Sequence, residues 1–239
     1  MSPLAFHLPG DPDLVHAATL YPADGQAGVG ALLVLAHGAG AGQASPFMAR
    51  YAAGLAARGL DVVTFNFPYM EARRKAPDRA PVLEDTFRRA VVGATTHRMT
   101  RGRAVFIGGK SMGGRMATHL AAAPDAWPAE APPLRGAIAF GYPLHPPGNR
   151  RQDRAAHLAR LSVPLLVVQG TRDSFGGPDT IAEALPDAAR ARVTIHTVEG
   201  GDHSYKVPKT SGRTEAEVDG EVWDAVVSWI TRIAGSRSR

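Results

Sequence analysis

Four short segments carry side chains that could act on one another. Gly109-Lys110-Ser111-Met112-Gly113 fits the pattern G-x-S-x-G and lies between a β-rich run and a helical one. In that setting a serine sits on a sharp turn with its hydroxyl exposed, and small neighbours let turn and helix approach closely. The helix that starts behind Ser111 aims its N-terminal amides and dipole at the hydroxyl, which favours negative charge there. Downstream, Thr171-Arg172-Asp173 puts a carboxylate just past an apolar run, and Gly200-Gly201-Asp202-His203 puts an imidazole on a glycine-rich loop. A serine hydroxyl is a weak nucleophile and needs a base, and the base needs a group that holds its tautomer. His203 and Asp173 have the types for those two roles.

The chain order Ser, Asp, His is that of the α/β-hydrolase triad. Asp202 is the poorer orienting acid, because adjacent side chains on an extended loop diverge. Asp179 falls in a helical stretch, where a capping or surface carboxylate is the simpler account. His37-Gly38-Ala39-Gly40 follows an earlier apolar run, and such a turn offers a backbone amide to an oxyanion. Ala39 and Met112 are the expected donors, with Gly40 as the alternative to Ala39. Gly40, Pro68, Tyr69 and His145 are the candidate substrate contacts. His119 lies in a helical stretch, and His7, His16, His97, His157 and His196 lack a motif, so these are read as structural or solvated.

Two nucleotide motifs fail on inspection. Gly109-Lys110-Ser111 ends like a phosphate-binding P-loop, but the earlier glycine that loop requires is Ala104 here. Gly38-Ala39-Gly40-Ala41-Gly42 starts like a dinucleotide fingerprint, yet its last glycine falls on Gln43 and the next strand ends without a ribose-binding acid. No metal-ligand spacing such as H-E-x-x-H is present, so neither a metal nor an organic cofactor is expected.

These segments need a scaffold, and the sequence supplies one. Short β-rich runs at 31–37, 62–67, 104–108, 136–140, 164–170 and 193–198 alternate with helical spacing at 45–58, 82–96, 112–123, 179–185 and 215–233. That alternation argues for an α/β fold, a mostly parallel sheet with helices on both faces. The loop 68–81 and the segment 141–160 are too short for a large cap domain. One domain over 1–239 is expected, with 1–30 a peripheral N-terminal segment and 234–239 a basic tail. An uncapped site reads as shallow, which predicts preference for short acyl groups of about two to four carbons, since each unburied CH₂ forgoes up to about 0.8 kcal/mol.

Composition narrows the partners. At 239 residues, with 44% hydrophobic and 21% charged residues, the chain is ordinary globular material. It has no cysteine, which removes disulfides, thiolate metal sites and a cysteine nucleophile. The net charge of +5 comes from residues spread along the chain, apart from Arg232, Arg237 and Arg239 near its end, without the basic and aromatic clustering of a nucleic-acid footprint. No apolar stretch suits a membrane span, and no secretory signal is legible near Asp11 and Asp13, so a cytoplasmic protein is expected. The expected partner is a small ester-type substrate, with neither nucleic acid nor membrane, and the oligomeric state is left open.

The strings LAHGAGAGQ, FNFPYMEARRKAPDRAP, GGKSMGGRMA, GTRD-x-FG and GGDHSYKVPK resemble the predicted α/β-hydrolases that include an animal testis-expressed protein. The same broader family includes a non-enzymatic subunit of an animal chromatin-acetylating complex. It is more distantly similar to dienelactone hydrolases, which use cysteine where this chain has Ser111. The resemblance spans Ala31 to Ile233 and implies an α/β-hydrolase fold without implying a substrate. Residues and resemblance together lead to an expected serine hydrolase of the carboxylesterase kind, working through an acyl-enzyme. A thioesterase or acyltransferase would use the same residues, and a binding or scaffold protein on this fold is the competing class.

Overall fold

The structure is a computed structural model that describes residues 2–8, 17–24, 28–146, 148–149 and 154–235. Asp11, Asp13, His16, Arg237, Arg239 and part of the 141–160 segment lie outside the described residues. Among the described residues eight strands form one sheet: β1 (Leu4–His7), β2 (Ala17–Tyr21), β3 (Ala31–Ala36), β4 (Asp61–Phe65), β5 (Ala104–Lys110), β6 (Leu134–Phe140), β7 (Leu165–Gly170) and β8 (Val193–Val198). Their order is β1-β2-β4-β3-β5-β6-β7-β8. The β1–β2 and β2–β4 pairs are antiparallel and every other pair is parallel.

The helices are α1 (Pro46–Ala56), α2 (Pro68–Glu71), α3 (Ala80–Thr96), α4 (Met112–Ala121), α5 (Pro178–Ala184), α6 (Asp187–Arg190) and α7 (Glu215–Gly235). They cover both faces, which is why β3 can be apolar throughout. Successive β3 side chains alternate between the two faces. Leu32 and Val34 pack with Phe87 and Val91 of α3 and Met116 and Leu120 of α4. Leu33 and Leu35 pack with Tyr51 and Leu55 of α1 and Val222, Val226 and Trp229 of α7. Each such side chain, fully buried, contributes about 1.5–3 kcal/mol, so both layers are held against the sheet.

The edge differs from the sequence reading. Residues 1–30 were expected as a peripheral N-terminal segment with no strand assigned; β1 and β2 lie there and extend the sheet, with Ala18 and Leu20 buried. Residues 68–71 form a helical turn where a loop was expected, and α3 begins at Ala80, two residues early. No helix among the described residues is long and apolar enough to cross a membrane.

Candidate active site

Parallel strands end on one edge of the sheet, and a site gathers where their C-terminal loops meet. Ala39 follows β3, Ser111 follows β5, Asp173 follows β7 and His203 follows β8. Ser111 stands at the turn between β5 and α4 with φ 51° and ψ −112°, a left-handed conformation that a side chain rarely adopts. Its amide donates to the Phe140 carbonyl at 2.9 Å. The turn is this tight because of its glycines. A Cβ on Gly113 would lie 2.5 Å from the Ala36 carbonyl oxygen, and one on Gly109 would lie 2.3 Å from the Gly113 carbonyl carbon. Glycine at these positions lets α4 press onto the ends of β3 and β5.

The structure brings Ser111, His203 and Asp173 together. The Ser111 Oγ is 2.9 Å from His203 Nε2, and His203 Nδ1 is 2.7 Å from Asp173 Oδ2. A carboxylate only accepts, so Nδ1 carries the proton and Nε2 is left to accept from the serine hydroxyl. The Asp173 side chain is wholly buried, and each of its oxygens has a further donor. Phe175 N–H reaches Oδ1 at 2.9 Å, and the Gln169 amide reaches Oδ2 at 2.9 Å. Gln169 is itself buried; it also donates to the Gly176 carbonyl at 2.7 Å and accepts from the Tyr142 amide at 2.7 Å. It ties β7 to the loops on either side of the site. Asp202 turns away from His203: one of its oxygens accepts the Ser204 and Lys206 amides at 2.7 and 3.0 Å, folding the loop that carries the histidine.

Lys110 is nearly buried beside Ser111. Its ammonium donates to the His203 carbonyl and lies 5.3 and 5.4 Å from the Phe47 and Tyr205 ring centres. Burial pushes it down to about 8, against the opposing pull of Asp173 and Asp202.

His37 is fully buried under the β3 loop. Phe67 N–H donates to its Nε2 at 3.0 Å, and its Nδ1–H donates to the Gly38 carbonyl at 2.8 Å. These two bonds require the neutral ring, and burial pushes His37 down to about 4. The Gly40 amide is 3.3 Å from the Tyr69 hydroxyl. The Ala39 and Met112 amides have no hydrogen-bond partner among the described residues, and both residues face the cavity in front of Ser111.

That cavity holds about 620 Å³ and is walled by Phe47, Leu83, Met112, Met116, Pro143 and Phe175, with Asp78, Arg115 and Arg154 as polar members. It is larger than the shallow cleft expected of an uncapped chain, because α1 and α3 rise beside the site as walls. Of the expected contacts, Tyr69 is buried with its hydroxyl on the β3 loop, and Pro68 opens α2, so neither lines the cavity. Gly40 borders a neighbouring depression with Met70, Arg73, Arg74 and Lys75. His145 is half-buried, with its amide on the Phe175 carbonyl at 3.0 Å, and also lies outside the cavity wall. The sequence reading missed Gln169, Arg115 and Arg154. Arg115 had a signal: four residues after Ser111 on one helix, it shares that face.

Three of the other histidines are tied to neighbouring side chains away from Ser111, and His7 is exposed. His119 bonds Glu84 at 2.8 Å, His157 bonds the Thr118 hydroxyl at 2.8 Å, and His196 bonds Glu221 at 2.9 Å. The described residues contain no group of three or more metal-ligating side chains.

A family model described as an alpha/beta hydrolase domain matches residues 29–231. Solved structures are similar over nearly their whole length. A lidless α/β serine hydrolase from Xanthomonas campestris is 19% identical with a TM-score of 0.67, covering 99% of this chain and 97% of that one. Dienelactone hydrolase from Anabaena variabilis is 17% identical with a TM-score of 0.68, covering 96% and 98%. Est1E from Butyrivibrio proteoclasticus, solved with ferulic acid, is 12% identical with a TM-score of 0.70, covering 95% and 98%. At these identities the likeness is one of fold.

Proposed function

Since the chain belongs to the alpha/beta hydrolase domain family, we propose that it is a serine hydrolase that cleaves an ester or related acyl bond of a small substrate. The observation that carries this reading is the hydrogen-bonded series from Ser111 through His203 to Asp173, at 2.9 and 2.7 Å, opening on a cavity of about 620 Å³. Fold alone would not support it, since folds of this kind host many functions.

In this reading Ser111 Oγ attacks the substrate carbonyl while His203 Nε2 takes its proton. Asp173 holds the imidazole in the productive tautomer and stabilises the imidazolium. The Ala39 and Met112 amides stabilise the oxyanion, a contribution that removal of one such donor puts at about 2.7–4 kcal/mol. His203 then protonates the leaving group, and the acyl group stays on Ser111. Water, deprotonated by His203, releases the acid and restores the serine. The oxyanion donors in this scheme are Ala39 rather than Gly40, because Tyr69 already occupies the Gly40 amide.

Labelling by a fluorophosphonate probe tests the reading. The parent protein should label on one serine, and Ser111→Ala should abolish both labelling and esterase turnover, the latter by on the order of 10³–10⁶. Equal labelling of the mutant would remove Ser111 as nucleophile. A folded parent that never labels would favour a binding protein on the same scaffold.

A further inference from the structure

The cavity carries two cations that hydrolysis of a neutral ester does not use. Arg115, one turn of α4 beyond Ser111, and Arg154, from the segment after β6, both line it. One helical turn, about 5.4 Å of rise, separates Arg115 from Ser111 along α4. Neither guanidinium has a salt bridge or hydrogen bond among the described residues, and the Arg115 Nε is buried without a partner. Arginine is always charged, and a desolvated, unpaired guanidinium nitrogen is costly. Both residues line the same cavity, and burial, with the Arg115 charge beside it, lowers Arg154. Among the described residues no carboxylate is bonded to either guanidinium. Glu84 bonds His119 and faces Arg88. Asp78, also on the cavity wall, pairs with Arg74 at 2.5 Å through one oxygen, and its other oxygen is buried without a partner. Lys110, the third cation of the wall, is held by the His203 carbonyl.

Building on the serine-hydrolase reading, we infer that the substrate carries a carboxylate a few bonds from the scissile carbonyl, and that Arg115 and Arg154 bind it. Two planar forks facing one space match a carboxylate bidentately. The apolar lining they share with Ser111 suits a monoanion with a short carbon spacer better than a doubly charged phosphate, whose desolvation costs more. The pair therefore acts as a specificity element for the same cavity, attracting an anionic ester and holding its acyl carbonyl near Ser111.

Two measurements test this, one of them without turnover. In a chemical-shift titration, glutaramate (anionic) should bind at least about tenfold tighter than the near-isosteric neutral glutaramide. Arg115→Met and Arg154→Met should each erase most of that difference, while Arg190→Met, an equal change in net charge at an exposed site, should preserve it. In kinetics, the kcat/KM ratio of mono-4-nitrophenyl glutarate to 4-nitrophenyl pentanoate should be about ten or more and should fall towards one in the two arginine variants. Circular dichroism and urea midpoints establish that the variants fold. Equal binding of the two amides, no binding of either, or a preference that survives both arginine variants would overturn the inference. If Ser111 fails to label with fluorophosphonate, the hydrolase reading falls, and the titration still judges the anion site by itself.

Discussion

The Tyr69 hydroxyl accepts the Gly40 amide hydrogen at 3.3 Å and lies 3.4 Å from the Gly38 carbonyl oxygen. One side chain thus clamps both sides of Ala39, and it does so from the helical turn after β4. With His37 bonded to Gly38 and to Phe67 from beneath, the β3 loop is held in a shape that leaves the Ala39 amide open to the cavity.

Tyr69→Phe should therefore loosen the loop without touching substrate. Misplacement of a group by a fraction of an ångström is costly for catalysis, so kcat should fall by on the order of tenfold. KM for small esters should change little. A kcat equal to that of the parent would show that the clamp has no part in the reaction.

Asp173 and Asp202 are separated by what their oxygens do. Asp173 faces His203 and is wholly buried, whereas Asp202 caps its own loop through the Ser204 and Lys206 amides. Asp173→Asn should lower turnover by about 10⁴. Asp202→Asn should retain most activity, because an asparagine side-chain oxygen can still accept those amides. Steady-state kinetics on one ester ranks the two, and the reverse order would reassign the acid.

The strands from β3 to β7 were legible as mainly apolar runs bounded by turn residues, the pattern of a strand covered on both faces. The half-exposed β8 was legible by its β-branched residues. The pair β1 and β2 was not, because LAFH and AATLY are short and partly exposed and acquire their meaning only from pairing onto β4. The residues Ser111, Asp173 and His203 stood out by type, order and position after strands. Their support did not. Gln169 reads as one polar residue inside LLVVQG, and its partners, Asp173 and Gly176 on the following loop and Tyr142 after β6, meet it only in the fold. Tyr69 was expected at the substrate as part of the loop 68–81, a candidate wall of the site. Its burial follows from the turn of helix at 68–71, too short to leave a periodic signal.

Stability should depend on pH at both ends through groups held uncharged by burial. His37 is pushed down to about 4 and His157 to about 3, so below 6.5 the unfolded chain binds protons that the folded chain refuses. Stability then falls as pH drops from 6.5 towards 4, and His157→Gln should flatten part of that fall. Lys110 has the opposite window. Its folded value of about 8 lies under the free value of 10.5, so the unfolded chain holds the extra proton between them and stability rises with pH across that range. Buried tyrosines such as Tyr205, held neutral by desolvation, oppose this above about 10. Urea midpoints from pH 4.5 to 9.5 should show the alkaline rise in the parent and its loss in Lys110→Met. An unchanged rise in that variant would assign it to another group.

Acyl-chain preference is where the structure moves the expectation furthest. An uncapped chain suggested a shallow site and short acyl groups. Instead α1, α3 and α4 raise apolar walls of Phe47, Leu83 and Met116 around a space of about 620 Å³. A neutral acyl chain that follows those walls gains up to about 0.8 kcal/mol for each buried CH₂, or roughly fourfold in kcat/KM. The gain ends where the chain meets Arg115 and Arg154, since covering a guanidinium with a methyl group strips water from it without a replacement acceptor. Across 4-nitrophenyl esters, kcat/KM should rise from two carbons to about six and then level off by about ten. In Arg115→Met the levelling should shift to longer chains, because the far wall becomes apolar. A maximum at two to four carbons in the parent would mean that the cavity is closed to the acyl group and serves the leaving group instead.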